Sequence, residues 1–132
     1  MKYTTLGDSG VVASQLCLGT MIFGADGPTG VDANAAARIF DAFIDGGGTY
    51  LDTANVYAGG RSEEIVGAAL KGRRDTLVVA TKAGAQLGDR PRHSHSGLTR
   101  TAVLAAIDGS LRRLGTDYID VWYLHGPDQL TP

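Results

Sequence analysis

Strand-like and helix-like segments alternate along most of this chain, and that alternation limits its fold more than any other feature. Tyr3 to Leu6 reads as a short strand, Gly7-Asp8-Ser9-Gly10 as a turn, and Val11-Val12 as the start of a return strand. Gln15 to Leu18 then reads as a buried strand closed by Gly19. Ala36, Ile39, Phe40 and Phe43 recur at three- and four-residue spacing, which predicts a helix over Ala33 to Asp45 with Asp32 as N-cap and Gly46 as stop. Thr49 to Thr53 is the next predicted strand. A helix follows from Ser62, whose hydroxyl is read as the cap, with Glu63 and Glu64 favouring the positive end of its dipole. Leu77 to Thr81 is a β-branched strand. Thr99 caps a helix carrying Val103, Ile107, Leu111 and Leu114, and Tyr118 to Leu124 is a last strand.

The order is a hairpin followed by βαβαβαβ. Short connections in such an alternation imply a parallel sheet with right-handed crossovers. The expected fold class is α/β: an N-terminal hairpin plus four β/α units of a barrel, in one partial-barrel domain over residues 1–132. A complete barrel of this type takes about 250 residues, against 132 here. Thr131-Pro132 reads as the N-cap and first position of a further helix, so the expectation is a barrel interrupted before its fourth helix. The long loop from Ala85 to Leu98 is expected to lie over the strand ends.

Composition narrows the function classes. Hydrophobic residues make up 43% and charged residues 20%, a globular balance, and the net charge is −2. That charge provides no footprint for nucleic acid or an anionic membrane. No apolar run approaches the roughly 18 residues of a membrane helix, and MKYTTLGDSG has no signal-peptide core. With Cys17 as the single cysteine, a cytoplasmic setting is expected.

Four residues at or just beyond strand ends carry the chemistry: Asp52, Tyr57, Lys82 and His125. Side chains of one strand parity share a face. Lys82 shares parity with Ala80 and Val78, His125 with Tyr123 and Val121, and Asp52 with Tyr50. The alternate residues Leu51, Val79, Leu77, Leu124 and Trp122 are large and apolar, as suits the face under the helices. The three strand-borne groups therefore point toward the barrel axis, where strand C-termini carry the active sites of such barrels, and Tyr57 can reach over the same mouth. Asp52 and Lys82 are expected within about 4 Å of each other. A phenol near pKa 10 is a poor acid at neutral pH unless a nearby ammonium stabilises its phenolate. In this reading Lys82 performs that task, Asp52 holds Lys82, and His125 polarises a substrate carbonyl. No side chain supplies hydride, so a nicotinamide is implied.

With these residues in view, the segments YTTLGDSGVVASQLCLGT, GGGTYLDTANVYAGGRSEEIVGAALK, ATKAG and SLRRLGTDYIDVWYLHGPD resemble the N-terminal half of an aldo-keto reductase. The resemblance implies a TIM-type (β/α)8 barrel and NADPH-dependent reduction of a small aldehyde or ketone. It implies that Asp52, Tyr57, Lys82 and His125 form the catalytic tetrad, and that Gly19, Thr20, Met21 and Asp52 lie on the nicotinamide side of the cofactor. The strands and loops that hold most of NADPH in that family have no counterpart here. Asn55, where Asp is common, and Gly126, where larger residues are common, depart from its pattern.

Other motifs have plainer readings. His93 and His95 have a metal-like spacing but no third ligand, so no metal is expected. Arg90, Arg92 and Arg100 read as a solvated loop, Cys17 as a small core residue, and Gly46-Gly47-Gly48 as a helix stop. The rival functions are a non-catalytic or regulatory half-barrel that pairs with another chain, and a stand-alone enzyme. Unpaired edges at Gln15–Leu18 and Tyr118–Leu124, with Val78, Val121 and Tyr123 uncovered, would favour self-association.

Overall fold

The computed structural model describes residues 1–84, 97–129 and 131. Strands β1 (Tyr3–Thr5) and β2 (Val12–Ser14) form an antiparallel hairpin. A four-stranded parallel sheet follows in the order β3 (Cys17–Gly19), β4 (Tyr50–Asp52), β5 (Val78–Ala83) and β6 (Val121–Leu124). Helices α1 (Ala33–Asp45), α2 (Arg61–Leu70) and α3 (Arg100–Leu114) connect successive strands. This is the predicted hairpin and succession of β/α units, an α/β partial barrel.

The caps explain the helix ends. Asp32 accepts from the Ala35 amide at 2.8 Å to start α1, and the Thr99 hydroxyl accepts from Ala102 at 3.4 Å to start α3. Gly115 ends α3 in the left-handed region at φ 63°. The core lies between the sheet and the helices, where Phe40, Leu51, Val66, Leu70, Leu77, Val79 and Leu114 form one cluster. At the opposite end from the strand C-termini, the hairpin is tied to the sheet by Ser14. Its Oγ accepts from the Thr49 and Tyr50 amides, and its own amide donates to Thr49 Oγ1 at 2.9 Å. Arg74 fastens the start of β6 to β5: its guanidinium contacts Asp120 at 2.7 Å and stacks 3.7 Å from the Tyr118 ring centroid, while Asp120 accepts from the Val79 amide.

Several expectations need correction. The strand at Gln15–Leu18 is not buried: Gln15, Leu16 and Cys17 are exposed because β3 pairs with β4 alone. Cys17 is therefore not a core residue. Val78, expected to be uncovered, is buried, whereas Tyr123 is exposed as expected. Leu124, expected under a helix, is 60% exposed, since no helix follows β6 among the described residues. Ser62 does not cap α2. Gly60 occupies that position, and Ser62 is buried inside the first turn. Glu63 is also fully buried, accepting from Thr81 Oγ1 and Arg113 Nε at 2.6 Å each. The expected course of the Ala85–Leu98 loop, His93, His95, Arg90 and Arg92 fall wholly or largely outside the described residues. Among the described residues no cluster of metal ligands occurs and no helix is long and apolar enough to cross a membrane.

Gly67 lies where α2 crosses the end of α3. A Cβ there would stand 2.6 Å from the Arg113 carbonyl oxygen and 2.7 Å from that of Leu114. Gly67→Ala would gain helix propensity of about 1 kcal/mol, but the backbone contact leaves no room for the methyl. We expect a net loss of about 1–3 kcal/mol in unfolding free energy, read from the denaturant midpoint; an unchanged midpoint would show that the two helices slide apart freely.

Candidate active site

The concave ends of β4 and β5 bring the first two groups together. Gly19, Asp52 and Ala80 are register partners across β3, β4 and β5, and Lys82 lies one inward position beyond Ala80. Lys82 Nζ meets Asp52 Oδ2 at 2.6 Å, inside the expected limit. It also donates to the Thr53 carbonyl at 2.8 Å and to the Tyr57 hydroxyl at 3.1 Å. An ammonium has three protons, and each has an acceptor here.

Tyr57 arrives by a folded-back segment. Beyond β4 the chain stays hydrogen-bonded to β5, with Thr53 N donating to Ala80 O and Asn55 N to Lys82 O. A 3-10 turn over Tyr57–Gly60 then reverses it. Ala58, Gly59 and Gly60 are all left-handed, at φ 49°, 66° and 100°. Glycine takes this conformation without penalty, and alanine at a cost. The turn sets the Tyr57 ring 4.8 Å from Lys82 Nζ. His125 follows β6, fixed by its amide on the Ala83 carbonyl at 2.8 Å. Its ring meets that of Tyr57 edge-on, 5.7 Å between centroids. The structure thus brings all four predicted residues to one place.

Lys82 has a raised pKa. Burial opposes its charge, but hydrogen bonds and charge from Asp52 and Tyr57 outweigh that. The His125 pKa is lowered, by burial first and then by the Lys82 charge, against a smaller opposing effect of Asp52. His125 is thus neutral at pH 7, with Nδ1 buried and unpartnered among the described residues. A neutral imidazole can donate one hydrogen bond without adding a second cation beside Lys82.

An open cleft of about 570 Å³ lies over these groups and includes Gly19, Tyr50, Tyr123 and Leu124 in its walls. Gly19 and Met21 are exposed at its mouth end of β3. Thr20 is fully buried, and its hydroxyl is directed away to the Asp52 carbonyl at 3.0 Å. Sequence reasoning missed three participants. The Thr53 carbonyl is a backbone group with no residue-type signal. Ser62 carried a competing cap reading. Cys17 faces the cleft, and although the residue as a whole is exposed, partial burial of its thiol and then the Asp52 charge, against a smaller effect of Lys82, raise its pKa to about 11; its parity with Gly19 was the available clue.

A partial β/α barrel thus gathers an acid, a phenol, an amine and an imidazole at its strand ends. The chain belongs to the Aldo/keto reductase family, whose sequence pattern matches residues 15–132. It is 39% identical to the aldo-keto reductase YhdN of Bacillus subtilis, over all of this chain and 40% of that protein. Among solved structures, the thermostable aldo-keto reductase Tm1743 superposes with a TM-score of 0.82 at 32% identity, over 100% of this chain and 45% of that one. The holo form of AKR11C1 from Bacillus halodurans gives 0.80 at 38% identity, over 97% and 41%. The chain spans less than half the length of these relatives.

The lowered His125 pKa has a testable consequence. Its proton should titrate below the ordinary value of about 6.5, with the midpoint read from the imidazole signals by NMR. Because the folded pKa is depressed, His125 contributes stability that is present above its unfolded pKa and lost as pH falls through the folded one. Lys82→Met removes a lowering charge and leaves Asp52, so it should raise the midpoint; a fall would mean that Lys82 does not act on His125.

Proposed function

We propose that this chain carries the proton-transfer side of a nicotinamide-dependent carbonyl reductase, with a small aldehyde or ketone as substrate and NADPH as cofactor. The observation that carries the reading is the bridging ammonium of Lys82, which donates to both Asp52 and Tyr57. The donor set fits the nicotinamide end of the cofactor. Gly19 borders the cleft, and a Cβ built on it would meet nothing within 4 Å, leaving a flat approach beside Asp52. Lys82 is the cation lining that cleft among the described residues, and its protons are committed, so phosphate groups find no clamp there. The choice of NADPH rests on family membership.

A bound nicotinamide supplies hydride to the carbonyl carbon. The chain's own residues serve the oxygen. Tyr57 donates its proton to the developing alkoxide, and the Lys82 ammonium stabilises the phenolate left behind. Asp52 keeps the ammonium in place and balances its charge. His125 donates a hydrogen bond to the same oxygen and fixes the carbonyl's orientation. We place the reaction in the cytoplasm, where the lone Cys17 thiol stays reduced, and assign residues 1–132 to one partial-barrel domain.

A second reading, a half-barrel that pairs with another chain, is favoured by exposed apolar surface along both sheet edges. Leu16 beside β3 is 65% exposed, and Tyr123 and Leu124 on β6 are 41% and 60% exposed.

Tyr57→Phe in the complete natural protein should lower kcat for NADPH-dependent aldehyde reduction by about 10²- to 10⁴-fold, the usual range for a lost general acid. Parental kcat with the chemical step limiting would remove Tyr57 from the mechanism. For residues 1–132 alone, we expect no saturation with micromolar NADPH and a mass above monomer by light scattering. A monomer with micromolar affinity would make the isolated chain a complete binding unit.

A further inference from the structure

Behind the site, on the side away from the cleft, three hydroxyls meet. Thr20, Thr53 and Ser62 are each fully buried. Thr20 Oγ1 donates to the Asp52 carbonyl at 3.0 Å, and Ser62 Oγ donates to the Thr20 carbonyl at 2.8 Å. Ser62 Oγ lies 2.8 Å from Thr20 Oγ1 and 3.0 Å from Thr53 Oγ1. Each hydroxyl has one proton. The Thr20 carbonyl takes that of Ser62, so Thr53 donates to Ser62, and Thr20 Oγ1 divides its proton between the Asp52 carbonyl and Ser62 Oγ. Removing Ser62 Oγ would take from the buried Thr53 hydroxyl the acceptor of its proton, while the Thr20 carbonyl would keep the Phe23 amide at 3.0 Å.

The placement of this joint gives it a role in the site. Thr53 and Ser62 bracket residues 54–61, the segment that carries Tyr57 and the left-handed run at Ala58, Gly59 and Gly60. The Thr53 carbonyl also holds one of the three Lys82 protons. Ser62 Oγ thus joins the two ends of the Tyr57 segment to each other, adding to the backbone bonds by which Thr53 and Asn55 hold to β5. Asp52 is held from the other side by Thr20, whose amide and hydroxyl both donate to its carbonyl at 3.0 Å. We propose that Ser62 is a positioning residue for proton transfer. Its hydroxyl clasps the Tyr57 segment shut and so sets the Tyr57–Lys82 contact. This rests on the reading of Tyr57 as the acid.

A clasp of this kind acts on proton transfer through the Tyr57 hydroxyl and the Lys82 ammonium that serves it, which separates it from a general structural role. The test uses the complete natural protein with NADPH and para-nitrobenzaldehyde in single-turnover measurements. Ser62→Ala should lower the rate roughly 10- to 100-fold, the scale of misplacing a reacting group by an ångström, with KM for the aldehyde and Kd for NADPH unchanged. In a Tyr57→Phe background the same substitution should cost less than about twofold, because residues acting as a unit are not additive. Thr53→Val, which keeps the side-chain shape and removes the other end of the clasp, should behave alike. Parental rates in Ser62→Ala, with Tyr57→Phe impaired, would overturn the clasp and leave the acid assignment standing. Fully multiplicative losses would overturn it too, as would loss of native circular dichroism in both clasp variants. A parental rate in Tyr57→Phe would sink the acid assignment and the clasp together.

Discussion

The Lys82 ammonium is the charge around which this half of the barrel is organised. Its side chain is only 14% exposed, and a charge removed from water must find partners or lose its proton. It finds three, from the end of β4, from the residue after it, and from Tyr57 in the turn that precedes α2. None of these is local to Lys82 in sequence. The ion pair can form only when β4 and β5 lie parallel in the observed register and the following segment folds back. Fold and site are therefore one constraint seen from two sides, and the raised Lys82 pKa is its electrostatic record.

The same strand carries a second charged contact on its other face. Thr81, of opposite parity to Lys82, donates to the buried Glu63, which also receives Arg113 from α3. A buried pair of this kind adds little net stability, yet leaving one partner alone costs about 3–5 kcal/mol. Its effect is therefore on geometry: α2 and α3 have one orientation over β5 in which Glu63 is satisfied. Gly67 allows that approach, since the α3 carbonyls occupy the place of its missing side chain. Helix α2 begins at the Tyr57 turn, so its seat on α3 also fixes where that turn starts.

Period and caps made much of this legible in sequence. Helix α1 runs over the predicted Ala33–Asp45, because the Asp32 cap and the apolar spacing agree. Parity alone put Asp52, Lys82 and His125 on one face. What failed were local readings of residues whose partners lie far away in sequence and leave no periodic signal. Ser62 looks like a capping serine, its local possibility, but tertiary partners claim it; Glu63 does lie in the first turn of α2, and what its local reading lacked is the contact to Thr81 and Arg113. The last strand is shorter than Tyr118–Leu124 because Arg74 holds the Tyr118 carbonyl and the Asp120 carboxylate takes a β5 amide. Burial of β3 was overestimated for a related reason. Hydrophobicity says that Leu16 and Cys17 could be covered, and only the sheet order says that one side of β3 has no neighbour among the described residues.

The division of labour between the two faces has a further consequence. The groups that hold the four chemical residues are mostly behind them: Thr20, Thr53, Ser62, Thr81 and Glu63, all fully buried. The concave side contributes less to that support. Its own contacts are sparse, such as the Tyr50–Tyr123 hydroxyl pair at 2.8 Å, which together with burial keeps Tyr50 protonated well beyond neutral pH. Met21 is 62% exposed, and a side chain added at Gly126 would meet nothing within 4 Å. Residues at the mouth can then change size or polarity without touching the Lys82 contacts or the buried hydroxyls behind them. In the function proposed above, such a scaffold would hold its proton chemistry fixed and leave substrate choice to the open face.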